Sequence, residues 1–172
     1  MRTLQTTTHP DVLPLEDKSV FHRLASRAIV VRGDNILLLF TERYHDYSLP
    51  GGGVDPDEND VDGLIRELKE ETGAQNIRNI RAFGAYEEFR PWHKGDYDVV
   101  HMVSKCFWCD IDEELGEVSL EDYEVKNGMR PVWVNIREAI AHNKETMAKS
   151  DKQGLSVVRE TFLLELIANA IE

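Results

Sequence analysis

The chain has 172 residues, 41% hydrophobic and 30% charged, which suits one compact domain with a real core and excludes a disordered or collagen-like chain. Lys and Arg number 20 against 32 Asp and Glu, a formal net charge of −12. A surface this acidic repels phosphate backbones and anionic lipid, so duplex nucleic acid and membrane surfaces are poor partners, and it raises the question whether some carboxylates serve a metal cation.

Residues 1–22 are mixed and polar, with Pro10 and Pro14, and read as an N-terminal arm or irregular strand ahead of a single domain over 23–172. The first residues lack an apolar core of signal-peptide length, and no stretch of 18 apolar residues occurs. Cys106 and Cys109 cannot make a disulfide framework, so a reduced, cytoplasmic protein is expected. Ala25 to Val31 and Ile36 to Phe40 are strand-like runs joined by turn residues Arg32-Gly33-Asp34-Asn35, a hairpin pattern. Leu49-Pro50-Gly51-Gly52-Gly53 interrupts regular structure. From Asp60 to Thr72 the period becomes helical: Val61, Leu64, Ile65 and Leu68 form one apolar stripe, and Gly73 stops the helix. Ile77 to Tyr86 and Val99 to Trp108 read as strands around a polar, aromatic loop from Phe89 to Tyr97. Residues 111–130 form a long acidic connection, Val132-Trp133-Val134 a short strand and Ile136 to His142 a short helix. The segment from Gln153 to Ile171 is a strong helix. It carries Leu155, Val158, Phe162 and Leu166 on one side and Leu164 and Ile171 on the other, more apolar girth than one sheet face covers, so a homodimer is expected. The order of elements points to an α/β fold with helices packed on a mixed sheet.

The segment from Gly52 to Ala74 carries the chemistry. On its helix Glu67, Glu70 and Glu71 fall at i, i+3 and i+4, away from the apolar stripe. Like charges at that spacing cost a few tenths of a kcal/mol per pair, and Gly63, in the middle of the carboxylate face, costs about 1 kcal/mol relative to Ala. A helix that tolerates both suits a bound cation, with Gly63 leaving room for something to approach the backbone. Hard oxygen ligands with room for water suit Mg²⁺ or Mn²⁺ rather than zinc. A glutamate-rich face taken alone is usually a solvated surface; the wider spacing decides otherwise.

Other signals are weaker. Cys106 and Cys109 have C-x-x-C spacing, but on a strand they point to opposite faces, so buried strand cysteines are the expectation. The histidines show no metal spacing, and His101, alternating with apolar residues, reads as structural. In Glu87-Glu88-Phe89-Arg90-Pro91-Trp92 a ring beside a cation can stack on a base and hold a phosphate, so Arg90 and Trp92 are substrate-binding candidates; a loop packing its aromatics onto the sheet is the competing reading.

Gly52 is followed by Glu58 and then by Arg66-Glu67-Leu68-x-Glu70-Glu71-x-Gly73. This resembles the Nudix box, G-x5-E-x7-R-E-U-x-E-E-x-G-U, where U is a bulky aliphatic residue. Every fixed position matches, a coincidence of about one in 10⁸ per start position at typical residue usage. Ala74 is smaller than the usual last residue, and Asp57 stands where many members have Gly. With the hairpin before the box and the Trp133 strand after it, the resemblance spans most of residues 22–145.

The resemblance implies a Nudix-type α/β/α sandwich and an enzyme that hydrolyses a nucleoside diphosphate linked to another moiety. It implies Glu67, Glu70 and Glu71 as divalent-metal ligands, Glu58 supporting that metal site from the loop, and Arg66 orienting carboxylates. Gly52, Arg90 and Trp92 are then the substrate-contacting positions. Pro91, 17 residues beyond Ala74, is one place off the Pro that the ADP-ribose pyrophosphatase subgroup has about 16 residues beyond the box, so the substrate stays open between a nucleoside diphosphate derivative and a (deoxy)nucleoside triphosphate. The family often adds a glutamate from the connection before the last strand, as base or fourth ligand. Of Glu113, Glu114, Glu117, Glu121 and Glu124, Glu124 is the choice because Tyr123 and Val125 can anchor it, with Glu121 second. The alternative is a Nudix-fold sensor that binds a nucleotide without turnover, against which the intact Glu67, Glu70 and Glu71 argue.

Overall fold

The computed structural model describes residues 1–92 and 94–172. Its strands are β1 (Thr3–Thr8), β2 (Val20–Ile29), β3 (Val31–Arg32), β4 (Asn35–Thr41), β5 (Asp46–Ser48), β6 (Gly51–Gly53), β7 (Arg78–Pro91), β8 (Val99–Asp110) and β9 (Met129–Asn135). Its helices are α1 (Asp60–Thr72), α2 (Asp122–Asn127), α3 (Ile136–Lys149) and α4 (Val157–Ala170).

One mixed sheet runs β1-β7-β8-β2-β6, with β1 parallel to β7 and β2 parallel to β8. A second sheet is centred on β4, which pairs antiparallel with β3, β5 and β9. The strands alternate between two cores. Ile29, Ile36, Leu38 and Cys106 pack with Ile136 and Ala139 of α3 and Leu163, Leu164 and Ile167 of α4. Ala28, Val30, Leu37, Phe107 and Cys109 pack with Leu64 and Leu68 of α1. Both strand faces are covered, which is why these segments read as unbroken apolar runs instead of alternating ones. The result is a mixed α/β sandwich with α1 on one side and α3 and α4 on the other. Cys106 and Cys109 do face opposite cores, and burial pushes both thiols up to about 12.

The structure corrects several boundaries. Phe89, Arg90 and Pro91 belong to β7, not to a loop, because pairing with β8 continues to Pro91 opposite Val99; position 93 of the expected loop lies outside the described residues. Helix α3 runs well past His142, since Asn143 bonds the backbone of Tyr47 and Thr146 that of His45. Such polar anchors are invisible to an apolar-period count. The acidic connection contains α2. Residues 3–8 are a strand at the sheet edge, where Leu4 packs onto Gly84. Helix α4 buries Val157, Leu163, Leu164 and Ile167 inside its own chain, so its girth is largely absorbed without a partner, while Leu155 and Val158 stay exposed. No helix of the described residues is long and apolar enough to cross a membrane.

Candidate active site

Helix α1 starts where Asn59 accepts a hydrogen bond from the Asp62 amide at 2.8 Å and ends at Gly73 in the left-handed conformation. Burial of Leu64 and Leu68 turns the glutamates toward the glycine turn of β6. Gly51 has φ of +148°, and a Cβ there would lie 2.0 Å from the Ser26 carbonyl oxygen. This close turn aims the Gly51 amide at Glu71, to whose Oε1 it donates at 2.7 Å. Gly52 leaves the space beside the Glu67 carboxylate, which a Cβ would meet at 2.9 Å. Gly63 does not leave room for a ligand, as the sequence suggested: Glu58 and Val54 occupy that space, each 3.1 Å from where a Cβ would stand.

Arg66 is the electrostatic hub. Its guanidinium donates to Glu58 in bidentate fashion at 2.6 and 3.1 Å, to Glu67 at 3.0 Å, to Glu70 at 3.4 Å and to the Gly53 carbonyl at 3.1 Å. The bidentate pair holds the Glu58 carboxyl below its ordinary range and raises the guanidinium. Repulsion among the box glutamates is thus relieved on one flank, and Glu70 lies on that flank.

On the other flank no Lys, Arg or His among the described residues forms an ion pair with Glu71 or Glu124. Glu71 is 2% exposed and Glu124 3%, and their carboxyl groups share a hydrogen bond. Burial, then that bond, then the nearby charges of Glu67 and Glu124 raise the Glu71 pKa well above the usual carboxylate range. Burial also raises Glu67, against the pull of Arg66. Among the five glutamates of the acidic connection, Glu124 alone is buried. Its anchorage differs from the one expected: Tyr123 and Val125 are 58% and 62% exposed. A capping box at the start of α2 holds it instead, with the Glu121 amide donating to Glu124 Oε1 at 2.9 Å.

A cleft of about 370 Å³ opens beside this cluster and is lined by Gly52, Glu71, Glu124, Arg90 and Trp92, among others. Glu58 and Arg66 stand at an adjoining opening, where Trp92 is also found. Trp92 stacks on Phe21 with ring centroids 5.6 Å apart. Arg90 donates to Ser156 at 3.3 Å and pairs with Glu88 at 3.5 Å; burial, then Arg159, lowers it to about 10. The cleft also contains residues that the sequence reading missed. Arg23, Arg27 and Arg159 line it, with Arg159 paired to Glu88 at 2.8 Å and Arg27 bonded to Ser104 at 3.1 Å. Asp46 lies among them, raised to about 6 by burial and then by Glu160. The available signal was Arg27 inside an apolar run and Arg159-Glu160 inside an apolar helix.

Oxygen donors with no thiolate or imidazole beside them among the described residues fit a hard divalent cation. Glu67, Glu71 and Glu124 lie within electrostatic reach of one another, and the raised Glu67 and Glu71 carboxyls mark a crowding that a cation would relieve. As they stand, no three His, Cys, Asp or Glu side chains among the described residues enclose an ion. The carboxylates would have to turn from one another to do so.

The family model for the NUDIX domain matches residues 21–156. Diphosphoinositol polyphosphate phosphohydrolase 3-alpha of Mus musculus is 30% identical over 112 residues, 63% of this chain and 60% of that relative; the chain therefore spans less than two thirds of that relative's length. A NUDIX hydrolase from Nitrosomonas europaea superposes with a TM-score of 0.57 at 18% identity, covering 86% of this chain and 90% of that one. A MutT protein from Bacillus halodurans gives 0.55 at 19%, covering 85% and 82%. At such identities the structural likeness speaks for the fold, and the family match, which takes in the carboxylate helix, the glycine turn and the Glu124 connection together, places the chain in the NUDIX family.

Proposed function

We propose that this chain is a divalent-metal-dependent pyrophosphohydrolase that cleaves a nucleoside diphosphate linked to another moiety, or a (deoxy)nucleoside triphosphate. The observation that carries the reading is the buried Glu71 and Glu124 pair in a cleft also lined by Arg23, Arg27, Arg90 and Arg159, with Glu67 at the adjoining opening. Mg²⁺ or Mn²⁺, when bound, neutralises diphosphate charge and acidifies water. Glu67, Glu70 and Glu71 would hold the cation, and Glu58 acts through Arg66, which pairs with Glu67 and Glu70. Glu124 takes the proton from the attacking water. Gly52 lets the phosphate chain approach the backbone, Arg90 binds an anionic group and Trp92 contributes a wall of the substrate cleft. A homodimer built on the C-terminal segment would draw on exposed Leu155 and Val158, not on the core-facing side of α4.

A metal-dependent phosphate-release assay tests the reading. Its panel includes nucleoside diphosphate sugars, nucleoside triphosphates and a diphosphoinositol polyphosphate, the last because of the relative's name. Saturable binding with no product from any of them would favour a nucleotide sensor instead. For the cognate substrate, Arg90→Ala is expected to raise KM about tenfold with kcat nearly unchanged, the pattern of lost uniform binding.

Metal should also stabilise the fold, with a particular pH dependence. Because Glu71 is raised, the metal-free folded state holds more protons than the unfolded chain from the ordinary carboxylate range upward. That contribution to stability is full below the range and falls as pH rises toward the raised value. A cation removes the deficit. Saturating Mg²⁺ is therefore expected to raise Tm by about 3 °C or more near pH 8, and by less near pH 5.5. Equal shifts at the two pH values in thermal scans would contradict the assignment.

A further inference from the structure

Strands β2 and β8 run parallel in a register that sets His22 directly against His101. Their Nδ1 atoms are 2.8 Å apart, and the rings meet edge to face with centroids 5.0 Å apart. Two neutral imidazoles in that pose place one proton between them, so one Nδ1 presents a lone pair. The other nitrogen of His101 identifies which one. Its Nε2 lies 2.5 Å from Glu87 Oε1; an ionised carboxylate only accepts, so Nε2 carries the proton and Nδ1 of His101 is the free base. Phe89 stacks on the His101 ring at 4.4 Å between centroids and 17° between planes, and Thr6 reaches the second Glu87 oxygen at 3.5 Å. His101 is thereby fixed in tautomer and ring plane by a carboxylate behind it, the arrangement that supports a metal-bound histidine.

We propose that His22 and His101 form a two-imidazole site for a transition-metal divalent cation of the Zn²⁺ class, distinct from the carboxylate cluster, with Glu87 as its positioning residue. Two imidazole nitrogens on a tetrahedral ion, each about 2.05 Å from the metal, stand about 3.3 Å apart. The rings need to part by roughly half an ångström, and His22 is the one exposed side chain of β2, between half-buried Phe21 and Arg23. Two metal–nitrogen bonds form, and the proton that lay between the rings moves to His22 Nε2, with no change of oxidation state. Water fills the remaining positions, since no third protein ligand stands among the described residues. Such a site is exchangeable rather than structural. Imidazole selects zinc and copper where the carboxylate cluster suits Mg²⁺. Occupancy would clamp β2 to β8 one residue from Arg23, which lines the substrate cleft, so the bound ion is placed to modulate substrate binding.

The test titrates Zn²⁺ into the metal-stripped full chain by calorimetry, with excess Mg²⁺ present throughout. One equivalent of Zn²⁺ is expected to bind, with His22→Ala and His101→Ala each weakening it at least tenfold. Glu87→Gln should weaken it about tenfold, the low end for loss of a ligand's carboxylate support. Nitrogen-15 shifts should mark Nδ1, not Nε2, as the metallated atom in both rings. Zinc binding that survives in His22→Ala, that Mg²⁺ competes away, or that is absent from the folded wild type would overturn the proposal. His22 is exposed, so its variant decides the matter even if His101→Ala proves unstable.

Discussion

Glu71→Gln is expected to lower kcat by about 10³-fold, equivalent to about 4 kcal/mol of transition-state stabilisation. The amide keeps the shape of a side chain that accepts from the Gly51 amide at 2.7 Å and meets Glu124, and it removes only the charge. The metal-free protein should not suffer. A buried carboxyl with a strongly raised pKa is already predisposed to be neutral, so the variant should melt at or above the wild-type temperature, and the Mg²⁺-induced shift should vanish. Steady-state kinetics with paired thermal scans check both parts. Turnover within tenfold of wild type would remove Glu71 from the metal set.

Glu124→Gln is expected to lower kcat by about 10²-fold, the range of a positioned base. Glutamine serves as well as glutamate at the third position of a capping box, so α2 keeps its start and the change again isolates charge. The exposed Glu113 and Glu117 supply the control: their glutamine variants should stay within about twofold of wild type, as surface substitutions do. If Glu121→Gln proves the crippled variant, the connection is the right one and the residue wrong. If every variant in the connection stays active, proton transfer falls to the box helix, with Glu70 as the candidate.

The parts of the site that were legible in the sequence are those with local spacing. The box from Gly52 to Gly73 lies on one turn and one helix, and a single continuous pattern records it. Glu124 could be narrowed to five positions because an acidic connection before a strand is also local. The reason given for choosing it was nevertheless wrong, since a capping box and not apolar neighbours holds it in place. What could not be read is what the sheet assembles. Arg23, Arg27 and Arg159 meet in one cleft through strand register and helix docking, and His22 meets His101 across 79 positions of chain. Likewise β7 outran its expected end because its partner strand, not its composition, sets where pairing stops.

The sheet edge has a practical meaning for where this protein can be cut. The family pattern spans residues 21–156, but the folding unit is wider at both ends. Trimming to that pattern would strip β1 from β7, leaving unpaired backbone amides along a long strand and a hole above Gly84 where Leu4 now sits. It would also discard Leu163, Leu164 and Ile167, the share that α4 gives to one core. A fragment chosen by the family pattern alone would retain every carboxylate of the box and lose the means to stay dissolved while displaying them.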